Sequence, residues 1–171
     1  MSESSLYFSN NLFSAGKTEI LTETKEVVGE LDLKSMFSSG VDVLDANGNI
    51  VMKGSFKFMS SKWITKDKND QEIGLLKKPF FSIGKKYVYT SYQYGEYYIE
   101  SAAFSKDYTV LNQQNEQVAT FKKVSGFMQS SAYQLQNFSP NLSDEELIVV
   151  VMGVNMITRR RRNAANNSAA T

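Results

Sequence analysis

The chain has 171 residues, 42% of them hydrophobic and 12% aromatic, with a net charge of +1. That length and composition fit one globular domain with a substantial core, not a disordered chain. With no cysteine and no histidine, it has no disulfide framework, no Ser-His-Asp or Cys-His catalysis and no His-ligated metal.

Charge is unevenly spread. Residues 1–52 carry a net −5, residues 53–88 a net +6 and residues 89–158 a net −4, and four terminal arginines add +4. Met1-Ser-Glu-Ser-Ser-Leu-Tyr-Phe8 lacks a basic segment followed by an apolar one, so no secretory signal is expected. The expected location is cytoplasmic, with a peripheral place at a membrane if the basic stretch binds lipid.

In chain order, Leu6-Tyr-Phe8 and Leu12-Phe13 read as the first strands, and Thr18 to Leu33 is rich in β-formers. Val41-Asp-Val-Leu-Asp-Ala-Asn-Gly-Asn-Ile-Val-Met52 is a hairpin, with Asn47-Gly48 expected at positive φ. Trp63 to Gly74 and Tyr108 to Ala119 repeat it. Asp45, Asp67 and Asn112 each stand six residues before Val51, Ile73 and Val118. Phe56, Phe58, Phe80, Phe81 and Ile83 are expected in the core. Tyr87, Tyr89, Tyr92 and Tyr94 alternate along a strand, where packing explains them better than base stacking. Tyr97-Tyr-Ile99, Phe104, Phe121-Lys-Lys-Val124 and Ala132-Tyr-Gln-Leu135 complete the strands.

Ser143 followed by Glu146 reads as a capping box that opens a helix. The twelve uncharged residues between Glu146 and Arg159 span about 18 Å as a helix, against a bilayer core of about 30 Å. No transmembrane span is therefore expected. Asp144, Glu145 and Glu146 complement the start of a helix dipole, and Arg159, Arg160, Arg161 and Arg162 its end. A helix apolar on every face must be enclosed. The expected architecture is mainly β: a closed antiparallel barrel of about 12 strands around a central helix at 143–160. Residues 1–162 form this single domain, and 163–171 are expected to be a disordered tail.

The hairpin at 43–51, the hairpins Asp67 to Leu76 and Val110 to Phe121, and the hydrophobic helix at 143–158 together resemble the tubby C-terminal-like superfamily and its small LURP-one-related members. Phospholipid scramblases are a more distant branch. The resemblance implies a barrel closed around a C-terminal helix. It also implies a binding module rather than an enzyme, because tubby-like proteins bind phosphoinositide head groups through exterior basic residues. No tubby signature sequence is present to carry that site over residue by residue.

The candidate ligand-binding residues are Lys53, Lys57, Lys77, Lys78, Lys85 and Lys86. Lys53 and Lys57 share strand parity, and Lys77-Lys78 and Lys85-Lys86 flank one turn. Together they suit an anionic lipid or phosphorylated head group, although solvated strand lysines would look the same. Four arginines are too few for tight DNA binding, and no nucleic-acid partner is expected. The turns at Asp45 and Asp67 lack the distal Glu of an EF-hand, so neither a metal nor a cofactor is expected. Two other readings stay open: an interaction domain for a protein partner, and a tail-anchored protein using residues 147–157.

Overall fold

Four turns built to one plan set the barrel's hairpins. At Asp45, the backbone N–H bonds to the Asn49 carbonyl (2.9 Å), and Oδ1 accepts the N–H groups of Asn47 and Asn49, both at 2.9 Å. Asp67 does the same with Asn69 and Gln71 (2.8 and 2.9 Å), and Asn112 with Gln114 and Glu116 (both 2.9 Å). The residue three places on is left-handed in each case: Gly48 (φ 80°), Asp70 (φ 64°) and Asn115 (φ 60°). The repeat read from the sequence is therefore real. The turn chemistry differs from the expected two-residue hairpin, since Gly48 but not Asn47 has positive φ. A fourth copy sits at Thr22–Glu26, where the Thr22 hydroxyl accepts the Glu26 N–H and Lys25 is left-handed (φ 65°). Threonine in place of Asp or Asn hid this copy.

The computed structural model describes residues 3–34, 40–80, 85–101, 105–127 and 131–170. Their elements are β1 (Ser4–Ser9), β2 (Gly16–Leu21), β3 (Val27–Leu33), β4 (Gly40–Asp45), β5 (Ile50–Phe56), β6 (Trp63–Asp67), β7 (Glu72–Lys77), β8 (Lys85–Ser91), β9 (Gly95–Ser101), β10 (Tyr108–Leu111), β11 (Gln117–Val124), β12 (Ala132–Asn137) and α1 (Asp144–Ala169). Every strand is antiparallel to its chain neighbours, and β1 closes the barrel by pairing with both β12 and β2. Closure leaves no sheet edge, as expected from the number of hairpins.

The helix fills the lumen. Residues 146–157 of α1 are all buried, Gly153 and Asn155 among them. Its mid-section lies against Trp63, itself fully buried, whose indole Nε1 donates to the Val149 carbonyl at 3.2 Å. Two glycines admit that ring. A Cβ on Gly54 would fall 2.6 Å from one edge of the indole, and one on Gly153 would fall 2.4 Å from the other. The run 147–157 is thus enclosed by strands, and among the described residues no helix is long and apolar enough to cross a membrane.

The start of α1 uses half of the expected capping box. Ser143 Oγ accepts the Glu146 N–H at 3.1 Å. The Glu146 carboxylate does not reach back; it accepts the Tyr89 hydroxyl at 2.5 Å inside the barrel. Gly74 makes room for that hydroxyl. Burial pushes the Glu146 carboxyl above its ordinary range, and the Tyr89 bond only partly offsets this. A carboxyl whose folded pKa is raised favours folding fully below its ordinary pKa, and that contribution is lost as pH rises through the folded value. Glu146→Gln keeps an acceptor for Tyr89 without the titration. The urea midpoint of the wild type minus that of the variant is therefore expected to fall as pH rises from mildly acidic to neutral. A difference independent of pH would refute the ionisable-core reading.

Several sequence expectations need correcting. Leu12 and Phe13 lie in the turn after β1, buried at one end of the barrel, not in a strand. Phe56 packs on the core, but Phe58 and Phe80 are 89% and 97% exposed. Phe81, Ile83 and Phe104 lie outside the described residues. The helix does not stop near 160 before a loose tail but runs to Ala169, exposed from Arg160 onward. Asn163-Ala-Ala-Asn-Asn-Ser-Ala-Ala170 has alanines that favour helix and neither Gly nor Pro to stop it.

Candidate functional site

Register decides which end of the barrel each turn occupies. Ser4 Oγ bonds Asp144 at 2.6 Å, so the start of β1 lies at the end where α1 enters, and successive turns alternate from there. The entry end carries Glu23, Glu26, Asp45, Asp67, Asp70, Glu72, Glu96, Glu116, Asp144 and Glu145 in or beside its turns. The exit end, here the mouth, carries Lys57, Lys62, Lys77, Lys78, Lys86 and Lys106, together with Arg159, Arg160, Arg161 and Arg162 of the emerging helix. Lys25, Lys66 and Lys68 lie among those acids and Glu100 and Asp107 among those cations, so one end is net acidic and the other net basic. The first two runs of charge in the sequence did not foretell this, because adjacent turns in the chain lie at opposite ends.

The six sequence candidates are mostly, but not wholly, brought together. Phe56, Trp63, Leu76 and Tyr89 stand in one row across β5–β8. Lys57 follows Phe56 and Lys77 follows Leu76 toward the mouth, both exposed. Lys78 is half-buried, its ammonium 5.9 Å from the centre of the Tyr87 ring. Lys86 pairs with Glu100 at 2.9 Å, and Lys85 is placed by its backbone opposite Ser101. Lys53 stands apart. It lies opposite Lys66, toward the entry end, and pairs with Asp70 at 2.8 Å. The shared parity of Lys53 and Lys57 does not make one strand face, because β5 ends at Phe56.

The arginines contribute what sequence reasoning missed. They do not end the helix, so their role is not to complement its dipole. Arg159 Nη1 donates to the Phe13 carbonyl at 3.1 Å, and Arg160 Nη1 to the Ser60 carbonyl at 2.9 Å. The Arg160 guanidinium also stacks 4.0 Å from the Phe56 ring centre. Thr158 and Tyr87 join their hydroxyls at 2.6 Å. These contacts tie the helix to the rim and hold its positive charge there. Exposed Phe58, Met59 and Phe80 sit in the same turns as Lys57, Lys62, Lys77 and Lys78.

Each end carries a cavity. One of about 380 Å³ opens at the mouth beside Lys106, Arg159 and Arg162. The other, about 280 Å³, lies at the entry end among Leu6, Val43 and Ile148, beside Asp45, Asp144 and Glu145. Among the described residues no cluster of three or more carboxylates could hold a metal ion.

A twelve-stranded antiparallel barrel closed on a buried C-terminal helix defines the tubby C-terminal-like class of fold. The chain belongs to the LURP-one-related family, whose model matches residues 5–154. An X-ray structure of a protein from Arabidopsis thaliana is similar to it with a TM-score of 0.59 at 10% identity, over 92% of this chain and 91% of that one. At that identity the likeness concerns the fold. No curated protein sequence matches the chain. Family and fold fit a binding domain in general terms and leave its ligand open.

Proposed function

We propose that this protein is a non-enzymatic binding module that docks its basic mouth on an anionic phospholipid surface, as a peripheral protein of the cytoplasmic face. The carrying observation is that Lys57, Lys77, Lys78 and Lys86 share one end of the barrel with Arg159–Arg162. Exposed Phe58, Met59 and Phe80 add apolar side chains among those cations. Cations attract the lipid head groups, and apolar side chains between them partition into the interface. Solvated lysines alone would not need such neighbours. Lys53, opposite Lys66 and away from the mouth, plays no part in this reading.

Flotation with phosphatidylserine-containing and neutral vesicles, at several salt concentrations, tests it. Binding is expected with the anionic vesicles and is expected to weaken with salt. A lysine near an anionic surface is worth about 1 kcal/mol, so losing two weakens partitioning about thirtyfold, and reversing their charge weakens it further. Lys57→Glu combined with Lys77→Glu, both exposed, is expected to show at least that loss with an unchanged melting midpoint. Equal recovery with neutral and anionic vesicles removes the lipid reading. The same exposed apolar residues would then favour a protein partner.

A further inference from the structure

The cavity at the entry end has apolar walls and three carboxylates. Strands β1 and β2 pair only at Tyr7–Leu21 and Phe8–Ile20, so they part toward the entry end, beside α1. Leu6, Ile20, Val28, Val43, Val51 and Ile148 line the space that results. Val27 and Ile50, next in the chain to two of these, are 48% and 37% exposed. Asp45, Asp144 and Glu145 supply the carboxylates. Among the described residues, no lysine or arginine forms an ion pair with them. The start of α1 brings about half a positive charge, which offsets only part of theirs.

The mouth presents the complement. The turn between β5 and β6 ends in Phe58 and Met59, 89% and 91% exposed, with exposed Lys57 and Lys62 on either side. Among the described residues, no carboxylate pairs with either lysine. This turn is anchored. The Lys57 N–H donates to the Lys62 carbonyl at 2.9 Å, the Ser60 N–H to the Lys57 carbonyl at 3.0 Å, and Arg160 Nη1 to the Ser60 carbonyl at 2.9 Å. Two large apolar side chains are therefore held out in water on a turn already ordered for binding. A cavity of about 150 Å³ takes a benzene ring, so one of about 280 Å³ has room for the Phe58 ring. A chain cannot fill its own cavity. Strand β5 runs from Ile50 at the entry end to Phe56 at the mouth, about 20 Å at roughly 3.3 Å per residue.

We propose that the entry cavity of one copy receives the Phe58–Met59 turn of a second copy, so that the protein associates head to tail. The Phe58 ring enters the apolar space, and Lys57 and Lys62 meet Asp45, Asp144 and Glu145. Arg160, Arg161 and Arg162 leave the barrel beside the same turn and add to its positive charge. The contact joins two different surfaces, so each pair keeps one free cavity and one free turn, and further copies can add. Vesicle docking uses the same turn, so the two events exclude one another, but neither rests on the other.

Sedimentation velocity of the full chain, without vesicles, tests the contact. The contact is small, so weak association is expected. The sedimentation coefficient is expected to rise from micromolar to near-millimolar concentration at low salt, and to rise less at high salt. Phe58→Ser with Met59→Ser removes the tip of the turn and keeps the cavity. Val28→Lys, at a position 41% exposed, puts a cation on the cavity lining and keeps the turn; Glu145→Lys is a second variant of that kind. Each is expected to stay monomeric at every concentration with a cooperative melting transition. Mixing the Phe58 and Met59 variant with either cavity variant is expected to give a one-to-one dimer that grows no further. Wild-type protein that stays monomeric throughout overturns the proposal and leaves the cavity to a partner of another sequence. Association that survives loss of Phe58 and Met59 overturns it as well. So do variants that fail to dimerise when mixed, the result expected of a contact between two like surfaces.

Discussion

Val150→Asp is expected to abolish the folded barrel. Val150 is 1% exposed at the centre of the buried run. Leu147 and Val154, three and four residues away along α1, are both buried and apolar. A carboxylate there would have neither water nor a partner, unlike Glu146, which has the Tyr89 hydroxyl. An unpaired buried charge costs about 3–5 kcal/mol, a large part of a total stability of about 5–15 kcal/mol. The expected result is insoluble protein, or soluble protein without a cooperative melting transition. Asn163→Asp, on the exposed part of the same helix, is the control and is expected to melt like the wild type. Soluble Val150→Asp with the wild-type melting curve would mean that the helix is not enclosed.

Gly153→Ala should destabilise the protein although helix propensity favours it. Replacing an interior helical glycine by alanine gains about 1 kcal/mol from propensity. Here the new methyl would lie 2.4 Å from Trp63 Cδ1 and 2.7 Å from Cγ and Nε1. The indole cannot retreat, because Gly54 closes on its other edge and its Nε1 is bonded to the Val149 carbonyl. Overpacking of this kind costs about 1–3 kcal/mol or more, so the clash outweighs propensity. Urea midpoints should show a net loss. Trp63→Leu, destabilising alone, should make the added Gly153→Ala change neutral or favourable. Gly153→Ala that raises the urea midpoint in the wild-type background would show that Trp63 does not sit as described.

Much of this was legible locally. The Asp45, Asp67 and Asn112 turns could be aligned because a side-chain oxygen that accepts two backbone N–H groups must precede a left-handed residue. Thr22 escaped because its hydroxyl accepts one backbone N–H, that of Glu26, and marks such a turn less distinctively. Ser143 marked the helix start, and the apolar run after it demanded enclosure. The candidate site was legible only in part. Lys57, Lys77, Lys78 and Lys86 were found as charge in the chain, but Lys53 was grouped with them by strand parity alone. Lys106, Arg159 and Arg162 could not be joined by spacing, since β10, β11 and β12 intervene between the first and the other two.

Local chemistry is written along the chain: where it turns, where the helix begins, and that this helix must be surrounded. Those outcomes depend on contacts within a few residues or on a transfer free energy that needs no geometry. The tertiary structure alone decided which charges meet. In an up-and-down barrel each turn falls at the end opposite to the last, so position along the chain does not reveal end. The basic mouth and its cavity exist only once β12 has closed on β1 and α1 has threaded the lumen.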